Sequence, residues 1–87
     1  MEFEFDEAKS LSNAAKHGVD FAAAQELWLD ELLIEIPAKT TGEPRSIVIG
    51  VIGTKHYSAV ITHREGRIRI ISVRRSRPKE VAIYEGE

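Results

Sequence analysis

The 87 residues predict one α+β domain in which helices pack on an antiparallel sheet. Three observations point there. Two short amphipathic patterns, each opened by an aspartate, fill the first third of the chain. β-branched and alternating runs fill the second half. The length suits one hydrophobic core and leaves no room for a second, so residues 1–87 read as a single domain.

Glu2 to Phe5 alternate polar and apolar with two aromatics, which suits a short opening strand. Asp6 then caps a helix: its carboxylate can accept orphan N–H groups of the first turn, and Lys16, His17 and Gly18 supply the basic last turn and the glycine stop. Asp20 caps a second helix with Phe21, Ala24, Leu27 and Trp28 on one face, which makes Trp28 a core residue. From Leu32, the residues Leu33, Ile34 and Ile36 read as a strand, Pro37 to Pro44 as a polar loop and Ser46 to Ile52 as an apolar strand. Gly53 to His56 reads as a turn. Tyr57 to Arg64 and Arg67 to Arg74 form a hairpin closed by Glu65-Gly66, and Pro78 opens a last helix through Tyr84, where its missing N–H costs nothing. The expected order is β-α-α-β-β-β-α.

Absent cysteine removes disulfides, thiol nucleophiles and zinc ribbons, and the longest apolar run, Ile47 to Ile52, is far short of the roughly 20 residues that cross a bilayer. The amino terminus is acidic and has no apolar stretch behind it, so we expect no signal peptide, no membrane contact and a cytoplasmic protein. A formal charge of −2 argues at first against a polyanion partner. Position changes that reading. Met1 to Pro44 carries −7 and Arg45 to Glu87 carries +5, and His63 to Lys79 holds seven bases against the single acid Glu65.

A two-residue loop at Glu65-Gly66 pairs Arg64 with Arg67, Thr62 with Arg69, Val60 with Ile71 and Ser58 with Val73 on one face. The other face receives His63 with Ile68, Ile61 with Ile70, Ala59 with Ser72 and Tyr57 with Arg74. Like charges placed opposite each other destabilise a sheet, so collecting Arg64, Arg67 and Arg69 has a cost that function would explain. Arginine stands at seven of the nine basic positions after Pro44, and its planar guanidinium grips phosphate bidentately. Arg74, Arg75 and Arg77 extend the patch. The bland reading of the same residues is a solvated strand surface, or pairing with the acidic first half. Arg74 falls on the opposite face from Arg69 unless a bulge or strand end near Ser72 intervenes. Among the histidines, His17 reads as a helix-end cation or an acid–base group, His56 as a turn residue, and His63 as a structural histidine on the helix-covered face or a general base. Their spacing fits no metal site.

Five segments carry a resemblance that covers nearly the whole chain. They are Phe3-Glu4-Phe5-Asp6-Glu7-Ala8-Lys9, Lys16-His17-Gly18-Val19, Phe21-Ala22-Ala23-Ala24, Thr62-His63-Arg64 and Arg69-Ile70-Ile71-Ser72-Val73-Arg74, with Arg45, Gly50, Glu80 and Tyr84 also in agreement. In this order the chain resembles the BrnT family of bacterial toxins, and it departs at Ser76, where an alanine is common. The resemblance implies a RelE-like fold: an antiparallel sheet with two N-terminal helices on one face and a short C-terminal helix. It also implies RNA cleavage without a metal or cofactor, ribosome-independent or only loosely dependent. Neutralisation would come from a BrnA-type ribbon-helix-helix antitoxin, through which alone operator DNA is contacted.

Carried over onto matching positions, the resemblance marks Lys16, His17, Arg64, Arg69 and Arg74 as catalytic. Arg45, Arg67, Arg75 and Arg77 are expected to bind RNA. The expected chemistry is attack of a ribose 2′-OH on the adjacent phosphate, with Arg69 and Arg74 stabilising the phosphorane and His17 or Lys16 serving the proton or charge. The alternative is a non-catalytic module that uses the same arginines to hold RNA or an acidic protein segment.

Overall fold

An apolar strand needs a hydrogen-bonding partner on each side, and in the computed structural model, which describes all 87 residues, β3 (Ser46–Ile52) has both. It pairs antiparallel with β2 (Ile34–Pro37) and with β4 (Lys55–Arg64). β4 turns back into β5 (Arg67–Arg75) through Glu65 and Gly66, whose φ values of 52° and 79° are the successive positive angles of a tight hairpin turn. β1 (Glu2–Glu4) then lies along the outer edge of β5, giving the strand order β1-β5-β4-β3-β2.

That last pairing corrects the expected antiparallel sheet. β1 runs parallel to β5, with Phe3 beside Ile68, so the sheet is mixed. Alternation in Glu2 to Phe5 marks a strand but carries no information about its neighbour's direction. The expected order also listed one strand too few after the helices, although each strand read along the sequence is present: with Ile34–Pro37 paired into the sheet, the order is β-α-α-β-β-β-β-α. Lys55 and His56 belong to β4 rather than to a turn, because the β3–β4 connection needs only Gly53 and Thr54.

The helices start where their caps lie. In α1 (Glu7–His17) the Asp6 carboxylate accepts the Lys9 N–H, and Gly18, at φ 75°, closes the helix by donating to Ala14. In α2 (Phe21–Ala24) Asp20 accepts from Ala23 at 2.7 Å, but after one turn the chain tightens into a 3-10 helix over Gln25–Leu29. The second helix is thus shorter than its pattern predicted. Phe21, Ala24 and Leu27 are spaced by three, which serves a 3-10 helix as well as an α-helix.

Phe21, Ala24 and Leu27 pack with Val19 against Val48, Ala59, Ile61, Ile68, Ile70 and Val73 on one face of the sheet. Each large side chain so buried stabilises the fold by about 1.5–3 kcal/mol. Trp28, expected in the core, is instead half-buried at its margin, edge-on to Phe3 at 4.9 Å. α1 buries only Ser10 and Asn13, both polar. It serves the edge of β5 more than the face: the Asn13 amide donates to Val73 O and Val19 O, both at 2.8 Å, and accepts from Val73 N–H at 3.2 Å. One side chain thereby stands in for a strand where β1 has ended. α3 (Pro78–Glu85) contacts β3 and packs on the opposite face, over Ser58 and His56 of β4. No helix is long and apolar enough to cross a membrane.

Asn13→Ala would strip the partners from three buried backbone groups. The expected loss is about 2–4 kcal/mol, read as a lowered urea midpoint with an unchanged slope.

Candidate functional site

The expected hairpin register holds from the turn inward for four pairs: Arg64 with Arg67, His63 with Ile68, Thr62 with Arg69 and Ile61 with Ile70. There it breaks. Val60 pairs with Ser72, leaving Ile71 as an extra residue in β5, and the later pairs become Ala59 with Val73, Ser58 with Arg74 and Tyr57 with Arg75. This replaces the expected pairs Val60–Ile71, Ser58–Val73, Ala59–Ser72 and Tyr57–Arg74. The sequence carries the signal, since the buried positions Ile68 and Ile70 are even-numbered and Val73 is odd.

The bulge moves Arg74 to the face of Arg69. Arg64, Arg67, Arg69 and Arg74 now project from the side of the sheet that α1 and α2 leave uncovered. Thr62 is buried on this face because its hydroxyl donates to Pro44 O at 2.7 Å, which draws the end of the loop over one end of the strands. α3 closes the other end. Arg75 is turned to the opposite face, 5.8 Å above the Tyr57 ring, and so leaves the expected patch.

Each arginine on the open face is held differently. Arg74 is bidentate to Glu80, with both N–O distances 2.7 Å, and also donates to Arg75 O. Glu80 further accepts the Arg77 N–H at 2.8 Å and the Ser58 hydroxyl at 2.9 Å, while Ser58 lies 2.8 Å from the Ser76 hydroxyl. The Arg74 hydrogen bonds above all, opposed by burial, hold the Glu80 carboxyl down at about 2 from an ordinary 4.5, and Glu80 raises Arg74 in return. Arg69 donates to Glu4 through one nitrogen at 3.1 Å. Arg64 sits 3.6 Å from Glu43 with half its side chain in solvent, a weak contact. Arg67, Arg45 and Arg77 are exposed, and no salt bridge in the chain involves them.

Lys16 and His17 stand exposed on the last turn of α1, beside the β5 edge that Asn13 caps, and make no side-chain hydrogen bond or salt bridge. The structure therefore groups four of the expected arginines and sets the helix-end pair to one side. His63 lies at the end of the helix-covered side, as its register predicted, but it is exposed and pairs with Glu35 at 2.7 Å. His56 faces α3, 3.1 Å from Glu85 and edge-on to Tyr84. Glu4 and Glu80 were not among the expected site residues, because Glu4 reaches Arg69 only through the parallel strand and Glu80 reaches Arg74 only after the bulge. Asp30 accepts the Tyr84 hydroxyl at 2.7 Å and the Leu32 and Val51 N–H groups, so it stays below the usual carboxylate range despite the opposing effect of burial. No three His, Cys, Asp or Glu side chains come together as a metal-binding group.

The family model for the ribonuclease toxin BrnT of type II toxin-antitoxin systems matches residues 5–80. The chain belongs to the BrnT family. No curated protein matches it closely enough to add a characterised relative. As a BrnT toxin the chain has an antitoxin partner and an RNA target. The matched span contains all the arginines of the open face and ends on Glu80, the carboxylate that fixes Arg74.

A depressed carboxyl pKa means that Glu80 stabilises the fold fully above its unfolded value near 4.5, and that this stabilisation is lost as pH falls toward about 2. Glu80→Gln should therefore lower stability near neutrality by up to about 3 kcal/mol. The gap to the native chain should narrow between pH 4.5 and 2 in acid-unfolding curves.

Proposed function

We propose that this BrnT chain is a metal-independent endoribonuclease that takes RNA on the open sheet face and cuts it by attack of a ribose 2′-OH on the adjacent phosphate. The observation that carries the reading is the return of Arg74 to the face of Arg64, Arg67 and Arg69 beyond the bulge at Ile71. A polyanion needs several cations on one accessible surface, and these four supply it.

Arg69 is the phosphorane-stabilising residue. Its single bond to Glu4 leaves other guanidinium N–H groups free to meet an equatorial oxygen. Arg74, fixed by Glu80, is the second, pre-oriented cation. Arg64 and Arg67 grip the neighbouring phosphates, with Arg45 and Arg77 as outlying contacts. Glu4, the carboxylate already seated beside Arg69, takes the 2′-OH proton. His17, with Lys16 adding positive charge, protonates the leaving 5′-oxygen where the RNA passes the β5 edge. The toxin acts in the cytoplasm, has the RelE-like fold and is neutralised by a BrnA-like ribbon-helix-helix antitoxin, through which alone it meets operator DNA.

RNA incubated with the purified chain in EDTA is expected to be cut, with a cyclic phosphate left on the upstream fragment. Arg69→Ala is expected to lower the cleavage rate by about 100-fold or more. Arg67→Ala should weaken binding with a salt slope smaller by about one unit. Glu4→Gln and His17→Ala should each lower the cleavage rate at saturating RNA while leaving RNA affinity near its native level, which separates proton transfer from binding. Salt-dependent RNA binding with no cleavage product would identify a non-catalytic module instead.

A further inference from the structure

We infer that the antitoxin anchors in a cavity at the opposite edge of the sheet from β1, inserting an aliphatic side chain carried on a basic segment. This rests on the family's antitoxin partner and is independent of the arginine face as a catalytic site. The cavity, of about 390 Å³, lies between the 3-10 helix, the end of β3 and α3, with Leu29, Val51, Ile52 and Tyr84 among its lining.

Two features select the occupant. Leu29 is 80% exposed at its lip, and Leu32 in the following turn is 69% exposed. Large apolar side chains beside a concavity are what a partner's anchor residue covers, and the open arginine face offers no such pair. The rim is also acidic: Glu26 and Asp30 line the cavity, Glu31 adjoins Asp30 and Glu85 follows Tyr84, against Lys55 at the start of β4. RNA phosphates are repelled there, whereas lysines or arginines flanking an apolar anchor are attracted. The anchor would also sit on α3 one helical turn from the Arg74–Glu80 pair, because Tyr84 and Glu80 are four residues apart.

The test uses the full-length chain and the product of the reading frame adjoining its gene, purified separately and titrated by calorimetry. Leu29→Asp is expected to weaken binding at least tenfold, and Glu26→Lys several-fold. Both side chains are exposed, so melting temperature and RNA binding should stay at their native values. Unchanged affinity in both variants overturns the inference, as does failure of the native chain to bind that product. It is also overturned if binding is lost only in Arg64→Glu, which would place the dock on the basic face. A native chain that is dimeric alone and becomes monomeric in Leu29→Asp with antitoxin affinity intact would assign the patch to a second copy. Loss of antitoxin binding in Leu29→Asp, with no RNA cleavage by any form, would uphold the anchor while removing the proposed reaction.

Discussion

Ile71 has no partner across the β4–β5 ladder, and that extra residue shifts every later side chain of β5 to the other face. Without it, Val73 would point away from the core and Arg74 into it. Both results would be costly, since Val73 is fully buried against the helices and a guanidinium there would lose water without finding a carboxylate. With it, Ile68, Ile70 and Val73 all reach the core, while Arg69 and Arg74 share the open face. The bulge also leaves the backbone of Val73 to pair outward with Asn13, so the register of the hairpin and the docking of α1 depend on the same irregularity.

Glu80 converts that register into a fixed third helix. Its carboxylate joins the start of α3 to β5 through Arg74 and to β4 through Ser58, so four donors converge on one half-buried group. The consequence for chemistry is mixed. An arginine held at two nitrogens needs no reorganisation when a phosphate arrives, but its charge is already offset by the carboxylate. Arg69 is the converse: one bond to Glu4 orients it and leaves donors available. In the proposed reaction the two ion pairs would divide the work, with Arg74 giving a directed dipole and Arg69 the larger response to new negative charge.

What the sequence disclosed was local. Asp6, Asp20, Gly18, Pro78 and the Glu65-Gly66 turn each act within a few residues, and each terminates or turns the chain where its chemistry requires. The direction of β1 was hidden because Glu2 and Arg67 are neighbours only after the whole domain has formed. The arginines were legible as a basic cluster, but not their partners. Glu4 and Glu80 look like ordinary acids until a parallel strand and a bulge bring them to Arg69 and Arg74. His56 was misread because the β3–β4 turn is shorter than its glycine and lysine suggested.

Segregated charge reconciles a net charge of −2 with a basic sheet face. Acids of the first half are not spread evenly. Glu4, Glu35 and Glu43 cross to Arg69, His63 and Arg64, while Glu26, Asp30 and Glu31 gather at the corner leading into β2. That corner is at the far edge of the sheet from β5. Three strand spacings separate them, roughly 14 Å at the usual inter-strand distance. Charges in solvent are screened over about 8 Å at physiological ionic strength, so the acidic corner barely reduces the potential over Arg67 and Arg69. The field that an approaching ligand meets is set by the nearest face, and the total charge averages over two surfaces that a single ligand does not see together.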